Sequence, residues 1–161
     1  MIYSKLIGCG HYLPKKIMDN DDISKIVDTN DEWITSRTGI TQRHIAEKDE
    51  LTSDLAVEAS KLALKTSDIK KIDCIICATT TPDRTFPATA CRIQKKLGFK
   101  NIPAFDIQAV CSGFIYALHI ADSMIKSKQI NNALVIGSET LSKIVDWKDR
   151  RTCVLFGDGA G

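Results

Sequence analysis

Apolar residues in this chain follow two alternating patterns. Short continuous runs, CIICA at 74–78 and ALVIG at 133–137, are bounded by polar or turn-forming residues. Runs of that length without a polar face predict strands buried on both sides. Between them lie longer stretches in which apolar residues recur every three or four positions. Leu55, Ala59, Leu62 and Ala63 share one such helical face. Read in order, the chain predicts a strand over 2–8 ending in GCG, a short helix over 20–27 and a helix over 31–38 stopped by Gly39. A longer helix opens at Thr52 or Ser53, which would cap it, and runs to about Lys65. A strand follows over 72–78. Pro87 opens a helix that ends near Gly98. Then come a strand over 104–107, a helix after Cys111, and strands over 133–137 and 152–156, the last running into GDGAG.

Strand and helix alternate, which predicts an α/β fold: a mostly parallel sheet between helix layers. In such sheets chemistry gathers at the carboxyl ends of the strands. Cys111 falls at one of these ends, and the run ATTTPDRTFP after residue 77 begins at another.

Composition narrows the functions. The chain has 161 residues, 43% of them hydrophobic, which suits one domain with a real core. Basic residues number 22 and acidic residues 20, for a net charge of +2. That balance predicts no nucleic acid partner. No apolar stretch approaches the length of a membrane span, and MIYSKLIGCG lacks a signal-peptide layout. A soluble, cytoplasmic protein with no membrane contact is expected. The six cysteines are expected to be reduced thiols. Cys74 and Cys77 lie in a strand pattern, where residues three apart face opposite ways. They cannot share a metal, and no metal site is expected.

In FDIQAVCSGFIYALHIADSMI, Cys111 sits where a strand turns into a helix. A helix N-terminus offers unpaired N–H groups and the positive end of the dipole, which favour the thiolate. Cys111 therefore reads either as a nucleophile or as a small residue closing the turn. No base stands out. His119 lies roughly 12 Å further along the same helix at about 1.5 Å per residue, while His11 and His44 fall in loops. Trp33 and Arg37 share a helix face. They read either as a holder for a flat base and its phosphate or as an exposed cation–π pair. FGDGAG at 156–161 lacks phosphate-loop spacing and means only a tight turn.

Six motifs, GCGHYLP, DTNDEWITSRTGI, ATTTPDRTFPATAC, DIQAVCSGFIYAL, ALVIGSETLS and FGDGAG, resemble in order the first half of beta-ketoacyl-acyl-carrier-protein synthase III. The resemblance spans essentially the whole chain. It implies a thiolase-like fold of two similar halves, each a βαβαβαββ unit, with residues 1–161 as the N-terminal half and the C-terminal half absent from this chain. It implies that Cys111 takes an acetyl group from acetyl-CoA, with its backbone N–H as one oxyanion donor. Decarboxylative condensation with malonyl-acyl-carrier-protein then gives acetoacetyl-acyl-carrier-protein. It implies that Trp33 and Arg150 sandwich the adenine of coenzyme A, and that Thr29 and Arg37 line its mouth. Phe86 falls where the family places an aromatic from the partner subunit of a homodimer at the acyl pocket. No permanently bound cofactor is implied, only the coenzyme A thioester as substrate. The family's catalytic His and Asn belong to the other half, so this half alone is expected to be incomplete. Arg151 stands where family members commonly carry a small residue. Two other readings remain: a non-catalytic fragment that binds coenzyme A or a partner half, and a related condensing enzyme such as a hydroxymethylglutaryl-CoA synthase or a plant-type polyketide synthase. The DEWI and RTGI residues speak against the polyketide branch.

Overall fold

The structure is a computed structural model that describes residues 3–69 and 71–161. Its centre is a four-stranded sheet built from β3 (Cys74–Ala78), β4 (Ala104–Ile107), β5 (Ala133–Thr140) and β6 (Asp158–Ala160). The spatial order is β4-β3-β5-β6. β3 runs parallel to both β4 and β5, and β6 is antiparallel to β5. Helices α3 (Thr52–Thr66) and α4 (Thr89–Leu97) cover one face, and α5 (Gly113–Lys126) covers the other. The expected parallel sheet between helix layers is therefore present.

β3 explains the packing. All five of its residues are buried, because both faces carry a helix layer. Ile75 and Cys77 join Ala56, Val57, Ala90 and Ile93 in one cluster. Cys74 and Ile76 join Ala117 and Ala121 in the other. Cys74 and Cys77 thus face opposite layers, as the alternation of a strand requires. Burial pushes both thiols above their ordinary range, which leaves them inert.

A smaller region flanks the sheet. β1 (Lys16–Asp19) pairs antiparallel with β2 (Gln42–Ile45), beside α1 (Asn20–Ser24) and α2 (Asp31–Thr38). Ile23, Ile34, Cys153 and Val154 form its core, with Trp33 and Trp147 packed against it. Buried Arg43 ties the parts together. Its Nη1 donates to Asn20 Oδ1 at 2.8 Å and its Nη2 to the Val154 carbonyl at 3.0 Å.

Several element expectations need correction. Residue 2 lies outside the described residues, and 3–8 form no strand. β6 is three residues long; on the side away from β5, its partner among the described residues is Tyr12, through bonds of 2.8 and 2.9 Å to Ala160. Gly8 and Gly10 instead press onto α3: a Cβ on Gly10 would sit 2.3 Å from the Ala59 carbonyl oxygen. Thr52 and Ser53 are the first helical residues of α3 rather than its cap. The end is satisfied from elsewhere: Asp54 accepts from the Leu51 amide at 2.9 Å, and Asp83 from the Ser53 amide at 2.9 Å. Pro87 precedes α4 by two residues. Ala88 cannot cap that helix, so Asp106 from β4 accepts both the Thr89 and Ala90 amides at 2.7 Å. Residues 152–155 belong to a turn and Phe156 to no strand. The Asp149 carbonyl accepts the Thr152 and Cys153 amides, and the apolar pair Cys153 and Val154 fills the small core instead of a sheet. β1 and β2 were not foreseen, because KIMD and QRHI carry too little apolar character. The first short helix also stops early, at Ser24 rather than residue 27.

Candidate active site

Cys111 lies in a 3₁₀ turn, Val110–Ser112, that leads directly into α5. The helix itself therefore starts two residues later than the cysteine. Within the turn, the Ser112 amide donates to the Ala109 carbonyl at 3.0 Å and the Gly113 amide to the Val110 carbonyl. The Cys111 amide takes no part in these bonds. Val110 has φ of 48°, a left-handed backbone that a β-branched residue adopts only under constraint.

The Cys111 side chain is exposed and opens on a cavity of about 390 Å³. Ala78, Val110, Phe114, Ser138 and Glu139 help to line it, with the glycines of β6 and its end opposite. Two of the strand ends that meet here, those of β3 and β4, are the ones at which the sequence predicted chemistry. Phe114 packs on Gly137, where an added Cβ would be 3.4 Å from the ring.

One carboxylate in this cavity was missed by the sequence reading. Glu139 accepts from the Thr80 amide at 2.7 Å and the Thr81 amide at 3.0 Å. The Thr81 hydroxyl also donates to it, and the Thr79 hydroxyl does so at 3.4 Å. Its place at the carboxyl end of a central strand was the available signal. The donors, 58–60 residues away, were not visible locally.

None of the three histidines lines the cavity. His44 Nδ1 is engaged by the Pro14 carbonyl at 2.5 Å, and His11 and His119 are exposed. Phe86 does not line the cavity either. It projects into solvent, 81% exposed.

The second cluster of expected residues does come together. Asn30 caps α2 by accepting the Trp33 amide at 2.7 Å, and Gly39 ends the helix in left-handed geometry. The helix presents Trp33 and Arg37 on one face, with the Arg37 guanidinium 4.5 Å from the ring centroid. Arg150 arrives from the turn after β5, and its guanidinium is 4.9 Å from the same ring. Its Nη1 donates to the Asp28 carbonyl at 3.0 Å. Thr29, next in the chain, has a buried Oγ1 with no partner among the described residues. Two stacking contacts around a planar group span about 7 Å, so such a group enters only when Arg150 withdraws from Trp33. Arg151 points elsewhere: it forks onto Asp149, with Nε to Oδ1 at 3.0 Å.

Among the described residues no group of acids, histidines or cysteines could hold a metal, and no helix is long and apolar enough to cross a membrane.

Known proteins resemble this chain closely. The sequence profile of 3-oxoacyl-[acyl-carrier-protein (ACP)] synthase III matches residues 105–161. The chain is 62% identical over 160 residues to the beta-ketoacyl-[acyl-carrier-protein] synthase III of Ehrlichia canis (strain Jake), covering 98% of this chain and 50% of that protein. The protein of the same name from Wolbachia pipientis wMel is 60% identical over 161 residues, covering 98% and 51%. The crystal structure of 3-oxoacyl-[acyl-carrier-protein] synthase III from Aquifex aeolicus VF5 matches with a TM-score of 0.94 at 56% identity, covering 97% of this chain and 51% of that one. The priming beta-ketosynthase of the R1128 polyketide pathway also reaches 0.94, at 36% identity, covering 98% and 48%. The chain spans about half the length of the curated relatives it matches. Its fold is thiolase-like, a mixed α/β half with a mostly parallel sheet.

Proposed function

We propose, from the premise that the chain belongs to the beta-ketoacyl-[acyl-carrier-protein] synthase III family and corresponds to its N-terminal half, that Cys111 is the acyl acceptor of the initiating condensation in fatty acid synthesis. The Cys111 sulfur adds to the acetyl carbonyl of acetyl-CoA. The carbon–sulfur bond to coenzyme A breaks, and coenzyme A leaves with the thiol proton. Malonyl-acyl-carrier-protein then loses CO₂, and its carbanion attacks the Cys111 thioester. Acetoacetyl-acyl-carrier-protein is released, the Cys111 thiolate departs as the carbon–sulfur bond breaks, and a proton from solvent restores the thiol.

The observation that carries this reading is the Cys111 turn itself. It offers an exposed thiol at the cavity and an amide outside the turn's own hydrogen bonds, just before the start of α5. A preorganised amide of this kind suits an oxyanion that forms only during reaction. At the mouth, Trp33 and Arg150 would hold the adenine once they part, with Arg37 and the unpaired Thr29 hydroxyl beside it. The projecting Phe86 suits a residue that completes a second subunit's acyl pocket in a cytoplasmic homodimer.

A second reading has its own support. With no histidine at the cavity, the chain alone has no group to drive decarboxylation, which suits a half that binds coenzyme A or a partner half. The two readings part in one experiment. Purified chain is treated with acetyl-CoA and its peptides are mapped by mass, with Cys111→Ala as control. The first reading expects an acetyl thioester on Cys111 that the variant lacks. A folded chain that retains coenzyme A but forms no thioester would favour the second.

A further inference from the structure

We infer that Glu139 is a positioning residue: it clamps the Thr79–Thr81 segment and, through Ala78 and Gly113, holds the Cys111 turn in its strained shape. The inference rests on reading Cys111 as the acyl acceptor, and it names a residue through which this chain would set the geometry of that reaction.

The clamp is unusually complete. A single carboxylate on β5 gathers two amides and two hydroxyls from three consecutive threonines. A carboxylate holding several charge-assisted hydrogen bonds is a strong local anchor. The same threonines are gripped from behind. The Thr81 hydroxyl accepts the Thr140 amide at 2.8 Å, and the Thr52 hydroxyl donates to the Thr81 carbonyl at 2.5 Å. Thr52 and Thr140 share a further hydroxyl contact of 2.9 Å. Thr81, Thr52 and Thr140 are all buried, so the network sits in a low dielectric where its bonds are strong and a missing partner is costly.

The anchored segment begins one residue after Ala78, the last residue of β3. Ala78 touches the Cys111 turn directly. A Cβ placed on Gly113 would lie 3.2 Å from the Ala78 Cβ, tighter than an ordinary side-chain contact, so the Gly113 backbone runs close against the Ala78 side chain. Gly113 is also the residue whose amide closes the turn onto Val110. The path is therefore continuous: Glu139, Thr79–Thr81, Ala78, Gly113, Val110 and Cys111. It passes through Val110, the strained residue of the turn. Strain of that kind persists only where the surroundings over-determine the backbone. Glu139 and Cys111 line the same cavity.

Glu139→Gln keeps the size of the side chain but turns one oxygen into a donor facing donors. Its effect is read first by amide hydrogen exchange on the chain, without any reaction. Exchange is expected to quicken about tenfold at 79–81 and at 109–114, with α4 unchanged. Thr81→Val is expected to reproduce this pattern, because it removes the hydroxyl that both donates to Glu139 and accepts from Thr140. Thr81→Ser keeps that hydroxyl and is expected to restore protection. A second readout separates geometry from simple reactivity. Alkylation of Cys111 by iodoacetamide, which needs no oxyanion donor, should change less than twofold in Glu139→Gln, while the limiting rate of thioester formation from acetyl-CoA falls about tenfold. Faster exchange confined to 79–81 would overturn the inference, because the clamp would not reach the turn. So would a general loss of protection across the chain, which would make Glu139 merely structural. If the unaltered chain forms no thioester, the reading of Cys111 as acyl acceptor fails, and the exchange pattern still decides whether Glu139 holds the turn.

Discussion

The two halves of the candidate site are built in opposite ways. At the thiol end, the groups around Cys111 are strand ends and helix starts held by half-buried carboxylates that each accept several hydrogen bonds. Glu139 grips the Thr79–Thr81 amides, and Asp106 grips the start of α4. At the mouth, Trp33 meets two arginines across a surface, and the head of Arg150 donates to the Asp28 carbonyl. The first arrangement fixes geometry before any ligand arrives. The second leaves long side chains able to part around one. A nucleophile needs its donors in place at the moment of reaction, whereas a flat ligand needs a slot that can open.

The contrast can be attacked from its stiffest point downwards. Gly113→Val should be the most damaging change, because its added carbons meet the buried Ala78 Cβ. Overpacking of this kind costs about 1–3 kcal/mol, readable by urea denaturation. Slower Cys111 acylation should accompany it. Asp106→Ala uncaps α4, whose own N-cap position is an alanine. A loss of about 1–2 kcal/mol is expected, again by denaturation, with exchange loosened at the start of α4. A stability loss near zero in both would erase the difference between the two ends.

Arg150→Ala tests the other end. Stability should hold, because Arg150 is exposed and stacks on a surface ring. Affinity for coenzyme A should fall about fivefold, from a cation–π contact worth roughly 1 kcal/mol, as read by calorimetry. A large drop in thermal midpoint would mean that the mouth is as rigid as the thiol end. The smallest effect concerns pH. Asp54 resists desolvation because Lys96 and the Leu51 amide bond to it, and its carboxyl lies below the usual range. A lowered folded value means that its contribution is full above the unfolded pKa and is lost as pH falls through the folded one. Asp54→Asn should therefore flatten a small part of the acid limb of stability below about pH 4, and leave neutral acylation unchanged.

Much of this molecule was readable from local pattern. The CIICA run, the Gly39 and Gly98 helix ends and the Asp31–Thr38 helix stand where periodicity and capping rules put them. Cys111 was found because a strand-to-helix junction is a local event. Trp33 and Arg37 were paired by helical spacing alone. The misreadings share one cause. Residues 152–156 carry a strand-like apolar run, yet Cys153 and Val154 fill a core formed with Ile23 and Ile34, more than a hundred residues earlier. The 2–8 segment reads as a strand, yet what the β6 edge pairs with is Tyr12. KIMD and QRHI are polar, yet they pair because buried Arg43 joins β2 to the elements around them.

The sequence by itself determined the period of each long element, where its helices stop, and which cysteine sits at a helix start. Those properties depend on residues within one or two turns of each other. Only the tertiary structure decided which helix ends are capped, which carboxylate faces the thiol, and that Arg150 closes over Trp33. Each of these joins groups far apart in the chain: 16 residues for Asp106 and the Ala90 amide, 59 for Glu139 and the Thr80 amide, and 122 for Arg150 and the Asp28 carbonyl. A buried donor must find an acceptor somewhere, but which one it finds depends on how the whole sheet closes.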